Sequence, residues 1–277
     1  MTSRAVVVAC TLAATSCGVR PLMQLPAGPG APAADATAVL SEATTACRRV
    51  QTLTAEVAVT GSAGGRRIRG RLSAGVASPA SARLEAVAPF GPPIFIFVAI
   101  NDDATLMLPR DGRVLEHGQP ADVLEAVAGV PLGAADLRDT LTGCVPPASQ
   151  IQGRRMGDNW RLVTTNATDQ WYLHRQSPSS SWCLVAAVRR PANSLPWQAE
   201  WTNHEGGMPR SIRVTSLDPN GKTGSTFDLH LTLSQVDMNT ELGPEVFRVQ
   251  IPPRAEPITI EVLRRSGPLA STTSNGR

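Results

Sequence analysis

Hydrophobic residues return at every second position through segment after segment of this chain, and a period of two restricts those segments to half-buried antiparallel strands. Phe227, Leu229, Leu231 and Leu233 share one face while Asp228, His230, Thr232 and Ser234 take the other. Leu53, Ala55, Val57 and Val59 alternate with Thr54, Glu56 and Thr60, and Ile68 and Leu72 alternate with Arg67, Arg69 and Arg71. Leu84 and Ala86 stand opposite Arg83 and Glu85 in the same way. Further pairs are Trp160 with Leu162, Trp171 with Leu173, Trp182 with Leu184, Trp197 with Trp201, and Ile212 with Val214. The pattern predicts a meander of about ten or eleven strands with one apolar side to cover.

The cover comes from two places where the period becomes helical. Val39, Leu40, Ala43, Ala46, Cys47 and Val50 fall on one helix face, with Asp35 or Thr37 available to cap it. Val123, Leu124 and Val127 share a second face that ends at Gly129 and Pro131, and Leu137 and Leu141 a third that ends at Gly143. The expected fold class is α+β: an incomplete antiparallel β-barrel whose N-terminal helix and short helical insertion cover a hydrophobic cavity. Candidates for the cavity wall are Phe95, Phe97, Leu106, Leu124, Leu137, Trp160, Trp171, Trp182, Leu229 and Leu231. The tryptophans would equally fill an ordinary core. The run Ile94 to Ile100, apolar on both faces, fits a strand between a cavity and a covering helix, and fits any central core strand as well.

The first residues read as a targeting segment. Arg4 supplies a positive charge, and the apolar stretch from Ala5 to Ala14 is too short to span a bilayer. Ala14, Thr15 and Ser16 lead into Cys17 as in a bacterial lipobox, so residues 1–16 are expected to be a lipoprotein signal peptide and Cys17 the acylated residue. Cys10 is a rival acceptor that leaves a shorter apolar stretch, and an ordinary secretory signal cleaved near Ser16 is the alternative. Two or three acyl chains anchor a protein stably where one does so marginally. Gly18 stands where an Asp would, by analogy with the sorting rule of enteric bacteria, retain a lipoprotein at the inner membrane, so a periplasm-facing anchor in the outer membrane is expected. Residues 17–34, rich in Pro, Gly and Ala after the cysteine, read as a tether, 35–263 as the domain and 264–277 as a disordered tail. Cys47, Cys144 and Cys183 permit one disulfide in an oxidising compartment, with Cys47–Cys144 and Cys144–Cys183 equally compatible.

Chemistry finds little footing. A formal net charge of +3 spread over both signs argues against a nucleic-acid binder. His117, His174, His204 and His230 stand singly, with no His-Glu-x-x-His, no G-x-S-x-G elbow and no metal-spaced cysteines. Gly61, Gly64 and Gly65 belong to a hairpin without the following helix of a phosphate loop. No catalytic residue, metal or cofactor is expected. Arg66, Arg67, Arg69 and Arg71 place three guanidinium groups on one strand face, which could meet lipid phosphates or an acidic carrier, although a solvated strand face explains them as simply. Arg138 and Asp139 are expected to pair locally at the surface.

The stretch from Arg83 to Pro147 carries a resemblance. It runs RLEAVAPFGPPIFIFV, a strand ending in LPRDGR, an Ala-Asp helix, and GVPLGAADLRDTLTGCVP; later GGMPRSIRVTS precedes FDLHLTLSQVDMN. The order of an Arg-Leu strand, a Pro-hydrophobic-Gly turn, a helix and a Gly-hydrophobic-Pro segment ending in Leu-Arg resembles the LolB family of outer-membrane lipoprotein receptors, within the LolA/LolB superfamily. The tail from Leu242 (LGPEVFRVQIPP) is similar to LolA-like relatives. The resemblance implies a cavity that receives lipoprotein acyl chains from a LolA-like periplasmic carrier and releases them into outer-membrane lipid. It also implies that the turn Pro89-Phe90-Gly91 contacts the membrane, with Phe90 at its tip.

Overall fold

The computed structural model describes residues 22–266 apart from 192, 193, 219 and 221. Cys17 and the leader lie outside the described residues, as does the tail from residue 267. The strands are β1 (Ala31–Pro32), β2 (Thr52–Ala63), β3 (Arg66–Ala77), β4 (Ser81–Val87), β5 (Ile96–Ile100), β6 (Asp103–Leu108), β7 (Arg113–Gly118), β8 (Ile151–Arg155), β9 (Trp160–Thr165), β10 (Asp169–His174), β11 (Cys183–Arg189), β12 (Trp197–Glu205), β13 (Met208–Leu217), β14 (Thr223–Met238) and β15 (Glu256–Pro257). They form one open sheet in the order β1-β8-β9-β10-β11-β12-β13-β14-β2-β3-β4-β5-β6-β7-β15.

All described pairings are antiparallel except that of β15 with β7. The alternating segments become strands as the pattern predicts. The fifteen strands exceed the ten or eleven expected because short edge strands such as β1 and β15 have only two residues each and show no alternation. The β2–β3 hairpin turns on Gly64 and Gly65, both at positive φ (56° and 73°), the twist that a two-residue hairpin requires.

The helices are α1 (Ala36–Ala43), α2 (Thr45–Arg48), α3 (Pro120–Ala128), α4 (Ala134–Thr142) and α5 (Ile260–Ser266). The single N-terminal helix expected from the periodicity is broken at Thr44. Its hydroxyl donates back to the Leu40 carbonyl at 2.7 Å, and its backbone leaves the helical region at φ −102°, ψ 6°. Asp35 takes the N-cap position without capping, because Arg161 holds its carboxylate through Nε at 3.0 Å and Nη2 at 2.8 Å. That guanidinium keeps the Asp35 carboxyl below its usual range. Gly129 and Gly143 end α3 and α4 in the left-handed conformation, as their sequence positions suggested.

The inner face of the sheet is the side that meets these helices. Helix α1 packs on β8 to β11, α4 packs on β3, β4 and β13, and α3 meets β6 and α5. Cys47 and Cys144 form the disulfide, tying α2 to the segment that leaves α4, and Cys183 is free and exposed; the alternative bridge through Cys183 is not made. The pair Arg138–Asp139, expected at the surface, lies in the interior instead. Arg138 Nη1 is 3.3 Å from Asp139 Oδ1 and its Nη2 donates to the Val50 carbonyl at 3.2 Å. Burial pushes the Asp139 carboxyl up to about 6, against the opposing pull of Arg138 and Arg189.

The outer face is covered as well, by two straps. Residues 22–28, part of the expected tether, lie in a groove bounded by Leu162, Tyr172, Val188 and Leu217, with the Met23 N–H donating to Glu200 Oε1 at 2.8 Å. The C-terminal strap turns at Pro244–Phe247, where Arg83 Nη1 donates to the carbonyls of Val246 (2.8 Å) and Arg248 (3.0 Å). It then adds β15 beside β7 and ends in α5, which runs through Ser266, three residues past the expected domain boundary. Ile96 faces the pocket under this strap, which is why the run Ile94 to Ile100 can be apolar on both faces.

The disulfide closes a loop across a separation of 97 residues, and a loop near that size restricts the unfolded chain by about 4 to 5 kcal/mol in the chain-entropy model. The double variant Cys47→Ser/Cys144→Ser should therefore lose about 3 kcal/mol in urea unfolding; a loss under about 1 kcal/mol would show that the bridge does not restrain the unfolded chain. Asp139 predicts a pH dependence. Its folded pKa near 6 lies above the ordinary value of 3.8, so the fold favours the protonated acid. This contribution is fully present below about 4 and is lost as pH rises through about 6. Asp139→Asn should narrow the change in melting temperature between pH 5 and pH 7.5 and be the more stable protein at pH 7.5. Equal slopes for variant and parent would refute that assignment.

Candidate functional site

Between the helices and the sheet lies an apolar cavity of about 170 Å³. Val57 and Val59 of β2, Ile68 and Leu72 of β3, and Leu84 and Ala86 of β4 form its floor. Leu124 of α3, Val130 and Leu132 of the connection, and Leu137 and Leu141 of α4 form its roof. Val214, Leu229 and Leu231 close one side, and Ile94 and Phe95 the other. Its size is close to that of an engineered apolar cavity of about 150 Å³ that stays dry and binds benzene. As it stands, the space takes a few carbon atoms.

Of the predicted wall residues, Phe95, Leu124, Leu137, Leu229 and Leu231 line this cavity. The others do not. Phe97 and Leu106 are fully buried in the packed core away from it. Trp171 and Trp182 belong to the other half of the interior, which is filled. There, Arg189 lies 5.2 Å from the Trp171 ring centre and 5.6 Å from that of Trp197, while Arg161 and Arg175 lie 4.9 and 4.7 Å from that of Trp182. Trp171 Nε1 donates to Thr165 Oγ1 at 2.8 Å, and Trp201 Nε1 donates to the Thr140 carbonyl at 2.8 Å, tying the sheet to α4. Trp160 is on the opposite face, packed with Leu162, Tyr172 and Leu25 under the N-terminal strap. Alternation identifies a covered face without saying which cover it meets, and here both faces are covered.

Gly70 was missed. It occupies an inward position on β3 opposite Val59, it lines the cavity, and a Cβ built there meets nothing within 4 Å. A glycine between Ile68 and Leu72 is the sequence signal that could have located this opening, since a missing side chain on an inward strand position leaves room.

The turn Pro89-Phe90-Gly91 stands directly beside the cavity. Val87 and Ile94, where the chain leaves the β4–β5 pairing and returns to it, both line the wall. Between them Phe90 is 89% exposed, and Val87 is 46% exposed. Phe90 is not folded back under its loop. Arg110 holds the turn from behind, with Nη2 donating to the Phe90 carbonyl at 3.0 Å and Nε to that of Pro92 at 3.2 Å. A large apolar ring is thus held in water by a fixed backbone, an arrangement that gains by burial elsewhere.

The titratable groups do not converge on this site. Among the described residues, no cluster of three His, Cys, Asp or Glu side chains is placed to hold a metal ion. His117 Nδ1 is 3.3 Å from Asp103 Oδ2 at the surface, and His230 Nε2 is 4.0 Å from Asp228 Oδ1. The bidentate pair of Arg213 with Asp228, supported by Thr215 Oγ1 at 3.1 Å, holds the Asp228 carboxyl below its usual range. Burial pushes the Cys183 thiol upward. No helix among the described residues is long and apolar enough to cross a membrane.

No protein-family model matches the sequence, and no curated protein does. Solved structures do match in shape. A LolA superfamily protein from Nitrosomonas europaea superimposes with a TM-score of 0.50 at 10% identity, over 77% of this chain and 97% of that one. A DUF1329 family protein from Desulfovibrio piger gives 0.47 at 11% identity over 77% and 97%, and a domain described as outer membrane lipoprotein-sorting, from Vibrio parahaemolyticus, gives 0.46 at 12% over 83% and 100%. The open antiparallel sheet, the helical cover and the first of these superpositions agree: this chain has the fold of the LolA superfamily.

Proposed function

We propose that this protein is a lipid-anchored receptor of the outer membrane that takes acyl chains into the cavity beneath α3 and α4 and passes them to the bilayer, without covalent chemistry. The observation that carries this reading is the adjacency of an apolar cavity and an exposed Phe90 held on a clamped turn, with Val87 and Ile94 common to both. Acylation of Cys17 supplies the anchor, residues 1–16 the export signal, and Gly18 the outer-membrane destination. The cargo is the acyl portion of a lipoprotein or lipid, delivered by a LolA-like periplasmic carrier. Each buried methylene contributes about 0.8 kcal/mol, so even the end of a chain is held appreciably. A complete acyl chain exceeds the present 170 Å³, and its uptake requires α3 and α4 to lift from the sheet. A second reading, an envelope assembly or interaction lipoprotein with no transfer activity, is favoured by that small volume and by the tryptophan-filled half of the interior.

Gly70→Phe separates the two. The new ring projects into the cavity from an unobstructed position, so folding should be retained while uptake of a fluorescent fatty acid, and lipid co-purifying in native mass spectrometry, falls about tenfold or more. Undiminished uptake would exclude this cavity. The tip is tested by Phe90→Glu in the full chain carrying Cys17→Ser, so that acyl anchors do not contribute. Loss of about 1.5 to 3 kcal/mol of apolar burial should weaken vesicle binding roughly ten- to a hundredfold with thermal unfolding unchanged. Equal binding would remove Phe90 from the mechanism.

A further inference from the structure

Half of the arginines in the described strands are matched to a carboxylate: Arg83 to Glu85, Arg113 to Asp111, Arg161 to Asp35, Arg189 to Asp136 and Asp169, Arg210 to Glu205, and Arg213 to Asp228. Arg154 and Arg155 of β8 are not, Arg154 donating instead to the Pro29 carbonyl at 2.6 Å, and the remaining four lie together on β3. Arg66, Arg67, Arg69 and Arg71 are all exposed, and none has a carboxylate or hydrogen-bond partner among the described residues. Arg67, Arg69 and Arg71 share the outer face, since Ile68, Gly70 and Leu72 between them point to the cavity.

Their outer-face neighbours leave the charge intact. On β2 they pair with Ser62, Thr60 and Ala58. Of the acids in neighbouring strands, Glu85 is committed to Arg83 and Asp228 to Arg213, while Glu56, diagonal to Arg71 on β2, forms no ion pair with it. On β4, Arg71 pairs with Val87, the exposed residue from which the Phe90 turn departs. The register therefore sets Arg71 beside the apolar tip, with Arg69, Arg67 and Arg66 following along β3 toward the same end of the sheet, where residues 69–71 border the cavity. The groove holding residues 22–28 reaches Leu217, at that same end. Cys17 precedes Leu22 by five positions in the sequence, a reach of at most about 18 Å.

We infer that the Arg66–Arg71 stripe, with Val87 and Phe90, is a docking surface for a bilayer containing anionic phospholipid. This rests on the reading of Phe90 as a membrane-contacting residue and adds the lipid class. Guanidinium groups meet phosphate oxygens through paired N–H donors, and a basic cluster gains from the negative surface potential of an acidic leaflet. An acidic protein would satisfy the cations but leave Val87 and Phe90 without an apolar partner. A lipid surface offers phosphates and hydrocarbon in the order in which the stripe and the tip present cation and ring.

The test uses the full chain carrying Cys17→Ser and vesicles of phosphatidylcholine alone or mixed with phosphatidylglycerol. The parent should bind the mixed vesicles more tightly, and that preference should fall as NaCl is raised. Arg67→Gln/Arg69→Gln/Arg71→Gln should lower binding to the mixed vesicles on the order of a hundredfold. It should leave binding to phosphatidylcholine and thermal unfolding as they were, and the matching triple Lys variant should retain most of the preference. A triple Gln variant that binds mixed vesicles as the parent does, or a preference indifferent to salt, overturns the inference. Because Phe90→Glu acts on both vesicle types and the arginine variant on one, failure of the tip and failure of the stripe are read separately.

Discussion

The antiparallel pairing of β14 with β2, from Phe227 opposite Ala63 to Met238 opposite Leu53, joins a late strand to the first long one across most of the chain. Without it the meander β2 to β7 and the meander β8 to β13 would be two separate sheets, each with exposed edges. With it they share one inner face, and the helices can bridge both halves: α4 touches β3 and β4 on one side of the junction and β13 on the other. The Arg213–Asp228 pair locks β13 to β14 beside the junction, and the Cys47–Cys144 bridge holds the two helical regions to each other above it. Cavity, lid and tip all take their positions from this one seam.

The two halves spend their shared interior differently. On the β9–β12 side, tryptophans and the guanidinium groups stacked on them fill the space, and indole N–H groups are paired with Thr165 and Thr140. On β2 to β4 the inward residues beneath the cavity are Val, Ala, Ile, Leu and Gly70, which leave a gap below the roof formed by α3 and α4. Apolar walls left without a packing partner are unfavourable in contact with water. A fold that retains such a space beside an exposed aromatic ring has two neighbouring sites where hydrocarbon would relieve an unfavourable contact with water or vacuum. That shared preference, rather than any reactive group, is what the proposed lipid cargo would satisfy.

Both straps matter to this arrangement because they cover the outer face. Residues 22–28 cover Leu162, Tyr172 and Val188, and the turn at Pro244–Phe247 lies over β4 and β5. β3 is left between them with its arginines in solvent. The stripe therefore belongs to the part of the outer face that neither described strap covers.

The alternation of apolar and polar side chains was enough to read strands, one apolar sheet face and the two helices ending at Gly129 and Gly143, because each of these is a local periodicity or a local stop; the turn carrying Phe90 was implied by the family resemblance, and its exposure is a finding of the structure. Fifteen strands in a seam-joined order, Cys144 bonding Cys47 and not Cys183, Asp139 drawn into the interior, and Trp160 lying on the face away from Trp171 were not legible in that alternation. A period of two records that a face is covered but not what covers it, so a side chain beneath a strap, one in a packed core and one bordering an empty space leave the same trace in the chain. Which of the three applies depends on distances between segments far apart in sequence, and those exist only once β14 has paired with β2.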